Sequence, residues 1–170
     1  MYYKIIGASL IIVGCGGVGF LLAFFYRREE QTLRQLIHLL DFMECELQFR
    51  LTPLPDLCRQ AAAEAAGVMR QLFIRLSREL EDQISPDVCM CMNAALEEQK
   101  DIPQITKRCL KNLGRSLGRF DLTGQLRGLE AVRTSCRKEL DTLQENRDVR
   151  LRSYQTLGLC AGAALAILFI

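Results

Sequence analysis

Long apolar stretches occupy both ends of the chain, and the first of them carries no charge from Ile5 to Tyr26. At about 1.5 Å per helical residue this stretch reaches roughly 33 Å, which is enough to cross the hydrocarbon core of a bilayer. Tyr2–Lys4 precede it and Arg27–Arg28 follow it, and aromatic and basic residues are typical of membrane interfaces. A cleaved signal peptide is the alternative, but the apolar run is longer than usual and no small-residue cleavage site follows it. The pattern predicts an N-terminal transmembrane helix over residues 1–26.

The C-terminal apolar stretch is shorter. Thr156–Ile170 is uncharged, but a helix of that length reaches only about 22 Å. A start near Leu151 gives a marginal full span if Arg152 and Tyr154 turn their polar ends toward the headgroups. The alternative is an apolar terminal helix packed onto the soluble part. We predict a C-terminal transmembrane helix over residues 154–170.

Between the two stretches, over residues 27–153, apolar residues recur at steps of three and four. This spacing places them on one face of a helix, and no segment alternates with the period of two that is typical of a half-buried strand. The first stripe continues without a break from the N-terminal stretch, and its members are Leu33, Leu36, Ile37, Leu40, Met43 and Leu47. The predicted fold is all-α: a membrane-anchored bundle of about six helices, with transmembrane helices at both termini.

Capping residues and prolines predict where these helices begin. Thr52–Pro53 and Ser85–Pro86 each combine an N-cap residue with a proline suited to the first helical position. Asp101 and Gln104 have the spacing of a capping box, and Asp121 is the predicted cap of the last helix. The predicted helix ends are Gly67 and Gly118.

The charge balance bears on both partner class and topology. Lys plus Arg is 22 and Asp plus Glu is 20, and this near balance argues against nucleic-acid binding, which requires a basic excess. Basic residues cluster on the inner flank of each apolar stretch, at Arg27–Arg28 and at Arg147, Arg150 and Arg152. The positive-inside rule then places residues 27–153 in the cytoplasm and both termini on the far side of the membrane. The eight cysteines are expected to be reduced in that compartment.

Residues for catalysis, metal binding or cofactor binding do not converge in the sequence. His38 is the only histidine, and no spacing pairs it with a cysteine nucleophile. Cys89 and Cys91 lack a second cysteine pair, and positions two apart on a helix point about 200° away from each other. No phosphate-binding glycine loop is present outside the apolar stretches. The sequence therefore predicts no catalytic residue, no metal site and no cofactor.

Two charged features are candidate docking surfaces for a protein partner. Glu44 and Glu46 follow Asp41 on the first helix of the bundle. The second feature lies on the fifth helix, where basic residues at four-residue steps share one face; they are Lys107, Lys111 and Arg115. A solvated face is the alternative interpretation of each feature.

Small residues at four-residue steps are candidate packing surfaces of the membrane helices. Gly19 and Ala23 lie on the first apolar stretch, and Gly158 and Gly162 on the second. Such stripes let helix backbones approach closely in lipid. We expect the helices to pair with each other or with another subunit, including a second copy of this chain. The alternative is that glycine is simply common in membrane helices.

The layout of anchor, bundle and anchor resembles the stage III sporulation protein AB family of endospore-forming bacteria over essentially the whole chain. Two local patterns carry the resemblance, namely Glu44-Cys-Glu46 followed by Thr52-Pro53-Leu54, and Leu117-Gly118-x-x-Asp121. The resemblance implies a mother-cell membrane protein in the complex that links mother cell and forespore. It also implies a cytoplasmic partner ATPase, stage III sporulation protein AA, and makes Thr52, Pro53 and Leu54 candidate partner-binding residues.

The resemblance further implies a bundle similar to one repeat of the platform proteins of type II secretion and type IV pilus systems. Those proteins carry two such bundles and more membrane helices, whereas this chain has one bundle. From the sequence together with this resemblance, we expect a non-enzymatic membrane adaptor of a secretion-like channel complex, which the resemblance places in the outer forespore membrane with its bundle facing the mother-cell cytoplasm. A membrane enzyme would require a buried ionisable cluster. A ligand-binding or sensor domain, the main alternative, would require a sizeable apolar pocket.

Overall fold

The computed structural model describes residues 27–82, 87–118 and 121–169, and the side chains of these residues up to residue 145. Within these ranges the chain forms six helices and no strand, which confirms the all-α prediction. The helices are α1 (27–50), α2 (Leu54–Glu64), α3 (Gly67–Glu81), α4 (Val88–Glu98), α5 (Gln104–Ser116) and α6 (Leu122–Phe169). One compact unit of the chain is Glu29–Leu140, which we call the bundle.

The apolar stripe of α1 forms part of the bundle core. Five of its six predicted members are buried, namely Leu33, Leu36, Leu40, Met43 and Leu47. Ile37 is only half-buried, and Leu39 is fully buried in addition to the predicted stripe. The largest core side chain is Phe73 of α3. The helical periodicity therefore predicted which face of α1 packs inward, and missed only its exact width.

Ion pairs show that α1 and α6 run antiparallel in the bundle. Arg133 of α6 lies 2.9 Å from Asp41 and also pairs with Glu44. One turn later Arg137 approaches Asp41 at 4.0 Å. The end of α1 and the start of α6 therefore lie at one end of the bundle, which we call the turn end. Residues 29 and 140 lie toward the opposite end.

Gly118, in the loop after α5, brings the starts of α2 and α4 and the end of α5 together at the turn end. A Cβ atom added at Gly118 would lie 3.5 Å from Val88 Cβ and 3.6 Å from Leu54 Cδ2. The first residues of α2 and α4 and the end of α5 therefore lie together there. At the opposite end, Gln35 donates to the carbonyl of Ala66 between α2 and α3 (3.4 Å).

Two predicted helix starts are wrong in detail. α2 begins at Leu54 with Pro53 in the N-cap position, and the Thr52 hydroxyl donates to Glu46 (3.3 Å) instead of capping the helix. α5 likewise begins at Gln104 after Pro103, so Asp101 and Gln104 do not form a capping box. In both cases proline already has the extended ψ of a cap residue, 146° and 151°. An extended ψ is incompatible with a helical turn, so each proline occupies the cap rather than the first turn.

Other helix boundaries give a mixed outcome. Asp121 caps α6 as predicted, accepting a bond from the Gly124 amide (3.1 Å). Gly118 follows the end of α5 with φ +76°, also as predicted. Gly67 does not end α2, which stops at Glu64; it is the first residue of α3, with φ +55°. Ser85–Pro86 lie outside the described residues, and α4 starts with Asp87 as its cap, bonded to the Cys89 amide (3.2 Å).

The predicted membrane helices fall largely outside the described residues. Residues 1–26, with Gly19 and Ala23, are not described. α6 continues as a helix to Phe169 and carries Gly158 and Gly162, but the side chains around them are not described. Among the helices that are described, none is both long enough and apolar enough to cross a membrane.

Candidate docking surfaces

Glu44 lies in the contact between α1 and α6. Its carboxylate pairs with Arg133, a side chain that is only 21% exposed and that also donates to Asp41 (2.9 Å). The bond to Asp41, together with the charge of Glu44, raises the pKa of Arg133 above its ordinary value. This carboxylate therefore holds two helices of the bundle together.

Glu46 is buried rather than displayed for a partner. Only 9% of the residue is exposed, and its two oxygens are used internally. Oε2 accepts a bond from the Thr52 hydroxyl (3.3 Å), and Oε1 lies 3.3 Å from an Arg50 guanidinium nitrogen. These contacts hold the tight turn at Leu51, a non-glycine residue with φ +52°. Glu44 and Glu46 thus do not form one exposed acidic edge.

The two sequence patterns that carry the family resemblance meet in space. Leu54, in the first turn of α2, lies beside the backbone of Gly118. Pro53 accepts the first backbone bond of α2 from the Leu57 amide (2.8 Å). Thr52, Pro53 and Leu54 are therefore parts of the packing at the turn end, and sequence spacing gave no sign that they approach Gly118.

The basic residues of α5 share one face of the helix, as their spacing predicts. Lys111 and Arg115 are exposed and Lys107 is half-buried, whereas Thr106, Leu110 and Leu113 face the core. Within the part of the chain that the structure describes, none of the three basic side chains forms an ion pair. Their neighbour Arg108, by contrast, approaches Glu139 at 3.9 Å. We call Lys107, Lys111 and Arg115 the α5 basic stripe.

Among the described residues, the histidine and the cysteines of α2 and α4 do not come together in a catalytic or metal-binding group. His38 is exposed. Cys91 is buried near the Glu79 carbonyl (3.9 Å), whereas Cys89 is half-buried beside Asn93 (3.8 Å), as expected for positions two apart on a helix. Burial raises the pKa of Cys58 to about 12, which makes this thiol unreactive. No group of three or more potential metal ligands occurs among the described residues.

Two features of the bundle were not predicted from the sequence. Arg133 pairs with α1 across 92 positions of the chain, and spacing within one helix cannot reveal such a contact. Phe49 and Leu51 are exposed despite their apolar side chains. The signal available for Phe49 was its position off the apolar stripe of α1, which ends at Leu47.

Comparisons with known proteins agree on one family. A family model described as stage III sporulation protein AB matches residues 4–170. A protein of that name from Bacillus subtilis (strain 168) is 26% identical over 170 residues, covering 98% of this chain and 99% of the relative. A solved structure of stage III sporulation protein AB superposes with a TM-score of 0.63 at 20% identity, and the match covers 72% of this chain and 98% of the other. At that identity the structural match supports the helical fold alone.

Proposed function

Because the chain belongs to the stage III sporulation protein AB family, we propose that it is a non-enzymatic membrane adaptor of the channel complex between mother cell and forespore. In this proposal two terminal helices hold the protein in the outer forespore membrane. The bundle faces the mother-cell cytoplasm and docks an ATPase similar to stage III sporulation protein AA. Other membrane subunits of the complex would contact the terminal helices, in the manner of a secretion-system platform.

The observation that carries the docking proposal is the α5 basic stripe. Lysine and arginine heads on a helix surface usually gain some stabilisation from neighbouring carboxylates. Arg34, Arg59 and Arg75 all have such partners in this bundle, at 2.8, 2.6 and 2.8 Å. The α5 basic stripe has none among the described residues. A row of positive charge without internal partners suits an acidic surface on another protein, because complementary charge steers association and selects the partner.

The ion pairs between α1 and α6 suit an adaptor. α1 follows the N-terminal apolar stretch, and α6 leads into the C-terminal one. Arg133 joins these two helices through Asp41 and Glu44. An adaptor that orients a motor needs a fixed relation between the two helices that continue toward its apolar stretches, and the half-buried Arg133 supplies a contact between them within the bundle.

Topology is the first testable prediction. In a cysteine-free background, single cysteines replace Tyr2 and the exposed Lys138. We expect an impermeant maleimide to label position 2 in intact, non-sporulating cells that express the protein. Position 138 should react only after the membrane is permeabilised, since the basic flanks hold the bundle inside. Equal labelling at both positions in intact cells would contradict the proposed orientation.

Charge reversal tests the docking surface. We expect Arg115→Glu to weaken binding of the purified ATPase about tenfold, or ~1.4 kcal/mol, because it places a negative charge in the stripe. The matched control is Arg70→Glu, which reverses an exposed arginine of α3. Both changes are on the surface and should alter the free energy of unfolding by only about 0.5 kcal/mol.

Binding is measured by microscale thermophoresis with the full-length protein in lipid nanodiscs, at two salt concentrations. Weaker binding at higher salt is expected for the wild type. Equal loss of affinity in Arg115→Glu and Arg70→Glu would mean that net charge, rather than the α5 basic stripe, governs the association.

A further inference from the structure

Exposed apolar side chains gather at the turn end of the bundle. Phe49 is 76% exposed in the last turn of α1, and Leu51 is 66% exposed in the following turn. Met90, in the first turn of α4, is 60% exposed, and Leu122, the first residue of α6, is 39% exposed. The only other large apolar side chain exposed among the described residues is Ile74, at 37%, in the middle of α3. We call Phe49, Leu51, Met90 and Leu122 the apolar end cluster.

The positions of these residues in the fold bring them to one end. Leu51 lies three residues before Leu54, and Met90 two residues after Val88. Leu54 and Val88 both lie against Gly118. Leu122 follows Gly118 through the short connection to α6. All four residues therefore lie at the turn end, the end of the bundle opposite the one that holds residues 29 and 140.

Leu51 is solvent-exposed and also has an unfavourable backbone conformation. A non-glycine residue at φ +52° is unfavourable by about 1 kcal/mol or more, and leucine gains nothing from this conformation. Because most of the Leu51 side chain is exposed, its burial offsets little of this conformational free energy. The turn is held by the contacts of buried Glu46 with Thr52 and Arg50. The strained turn thus presents a large apolar side chain to solvent, and strain of this kind occurs often at functional sites.

The charges near the cluster indicate the chemistry of its partner. Arg115 lies in the last turn of α5, at the same end, and is exposed without an ion pair in the described part of the chain. Asp87 and Asp121 also lie here, but both carboxylates accept bonds from the helix starts that they cap. Asp82, after α3, is an exposed carboxylate at this end. The cluster thus borders the end of the α5 basic stripe.

We propose that the apolar end cluster, together with Arg115, is the surface on which the partner ATPase docks, through an exposed apolar segment of that partner flanked by carboxylates. This inference rests on the proposed function and specifies its contact site. Apolar side chains centred in a contact and charges at its rim are the usual anatomy of a protein interface.

The test uses full-length protein in lipid nanodiscs and purified ATPase similar to stage III sporulation protein AA. The variant Phe49→Ala/Leu51→Gly removes two exposed side chains, and glycine at position 51 suits the positive φ. The control Ile74→Ala removes the exposed apolar side chain outside the cluster. We expect at least tenfold weaker binding for the double variant, near wild-type binding for the control, and little change in unfolding of the double variant by guanidinium.

The alternative outcomes separate the two proposals. No binding by the wild type would refute the adaptor function and this inference with it. Wild-type binding that the double variant retains in full would overturn the inference and leave the adaptor function standing. A marked loss of stability in the double variant would mean that its side chains pack within the protein, which also overturns the inference.

A photoreactive benzoylphenylalanine at position 49 identifies the occupant directly. A crosslink to the ATPase, in the nanodisc sample that contains it, supports the proposal. A crosslink to a second copy of this chain or to lipid overturns it, because the cluster would then serve self-association or membrane contact.

Discussion

Replacing Gly118 with alanine is expected to lower the free energy of unfolding by about 2–4 kcal/mol. Two effects add at this position. The backbone has φ +76°, where an L side chain is strained. The new Cβ would also overlap Val88 Cγ2, so this stiff β-branched side chain and the start of α4 would have to shift, whereas Leu54 Cδ2, at 3.6 Å, would be in ordinary contact. Because α2, α4 and α5 meet at this glycine, the displacement affects the whole turn end.

Gly67→Ala is the matched control, since Gly67 also has a positive φ, +55°, but no atom lies within 4 Å of an added Cβ. It should cost only about 1 kcal/mol or less, because strain is partly offset by the lower entropy of the unfolded chain. Guanidinium unfolding of a bundle fragment, residues 28–150, measures both. Equal destabilisation by the two substitutions would show that contact at the turn end contributes nothing beyond the backbone conformation.

Arg133→Glu is expected to destabilise the bundle by about 2 kcal/mol. The change removes the hydrogen bond to Asp41 and the pair with Glu44, and places a third carboxylate between them. Arg133 is only 21% exposed, so solvent screens the repulsion less than it would on an open surface.

A charge swap distinguishes this pair from general surface charge. Glu44→Arg combined with Arg133→Glu should recover at least half of the stability lost in Arg133→Glu, because the attraction is restored in the opposite sense. Glu44→Arg alone should also destabilise. Thermal unfolding of the same fragment is measured for the wild type, for both single variants and for the double variant. The four free energies of unfolding together give the coupling energy between positions 44 and 133. A coupling energy near zero would mean that the α1–α6 contact is held by apolar packing alone.

The helices could be predicted from the sequence because burial of one helix face requires apolar residues at steps of three and four. The stripe from Leu33 to Leu47 faces the core for that reason. Asp121 was readable as a cap because its side chain bonds a backbone amide only three residues ahead. Local chemistry of this kind is contained in the short stretch that shows it.

Other features depend on distant parts of the chain and were not readable. The sequence predicts Thr52 and Asp101 as helix caps, but Pro53 and Pro103 occupy the cap positions. The sequence predicts Glu44 and Glu46 as one acidic feature, yet Glu44 pairs with Arg133 and Glu46 contacts Thr52 in the turn after α1. The α5 basic stripe could be read, because four-residue spacing defines a face. The lack of an acidic partner for this stripe within the described residues could not be predicted from the sequence, since it depends on which helices pack beside α5.

Co-purification of the partner ATPase from sporulating cells tests the adaptor account most directly. The full-length protein carries an affinity tag, is solubilised in mild detergent and is eluted after washing, with an unrelated tagged membrane protein as the control. We expect the ATPase similar to stage III sporulation protein AA to elute with the tagged protein, and to be depleted in Arg115→Glu. Recovery of the tagged, folded protein without that ATPase, even after chemical crosslinking in the cells, would contradict the account.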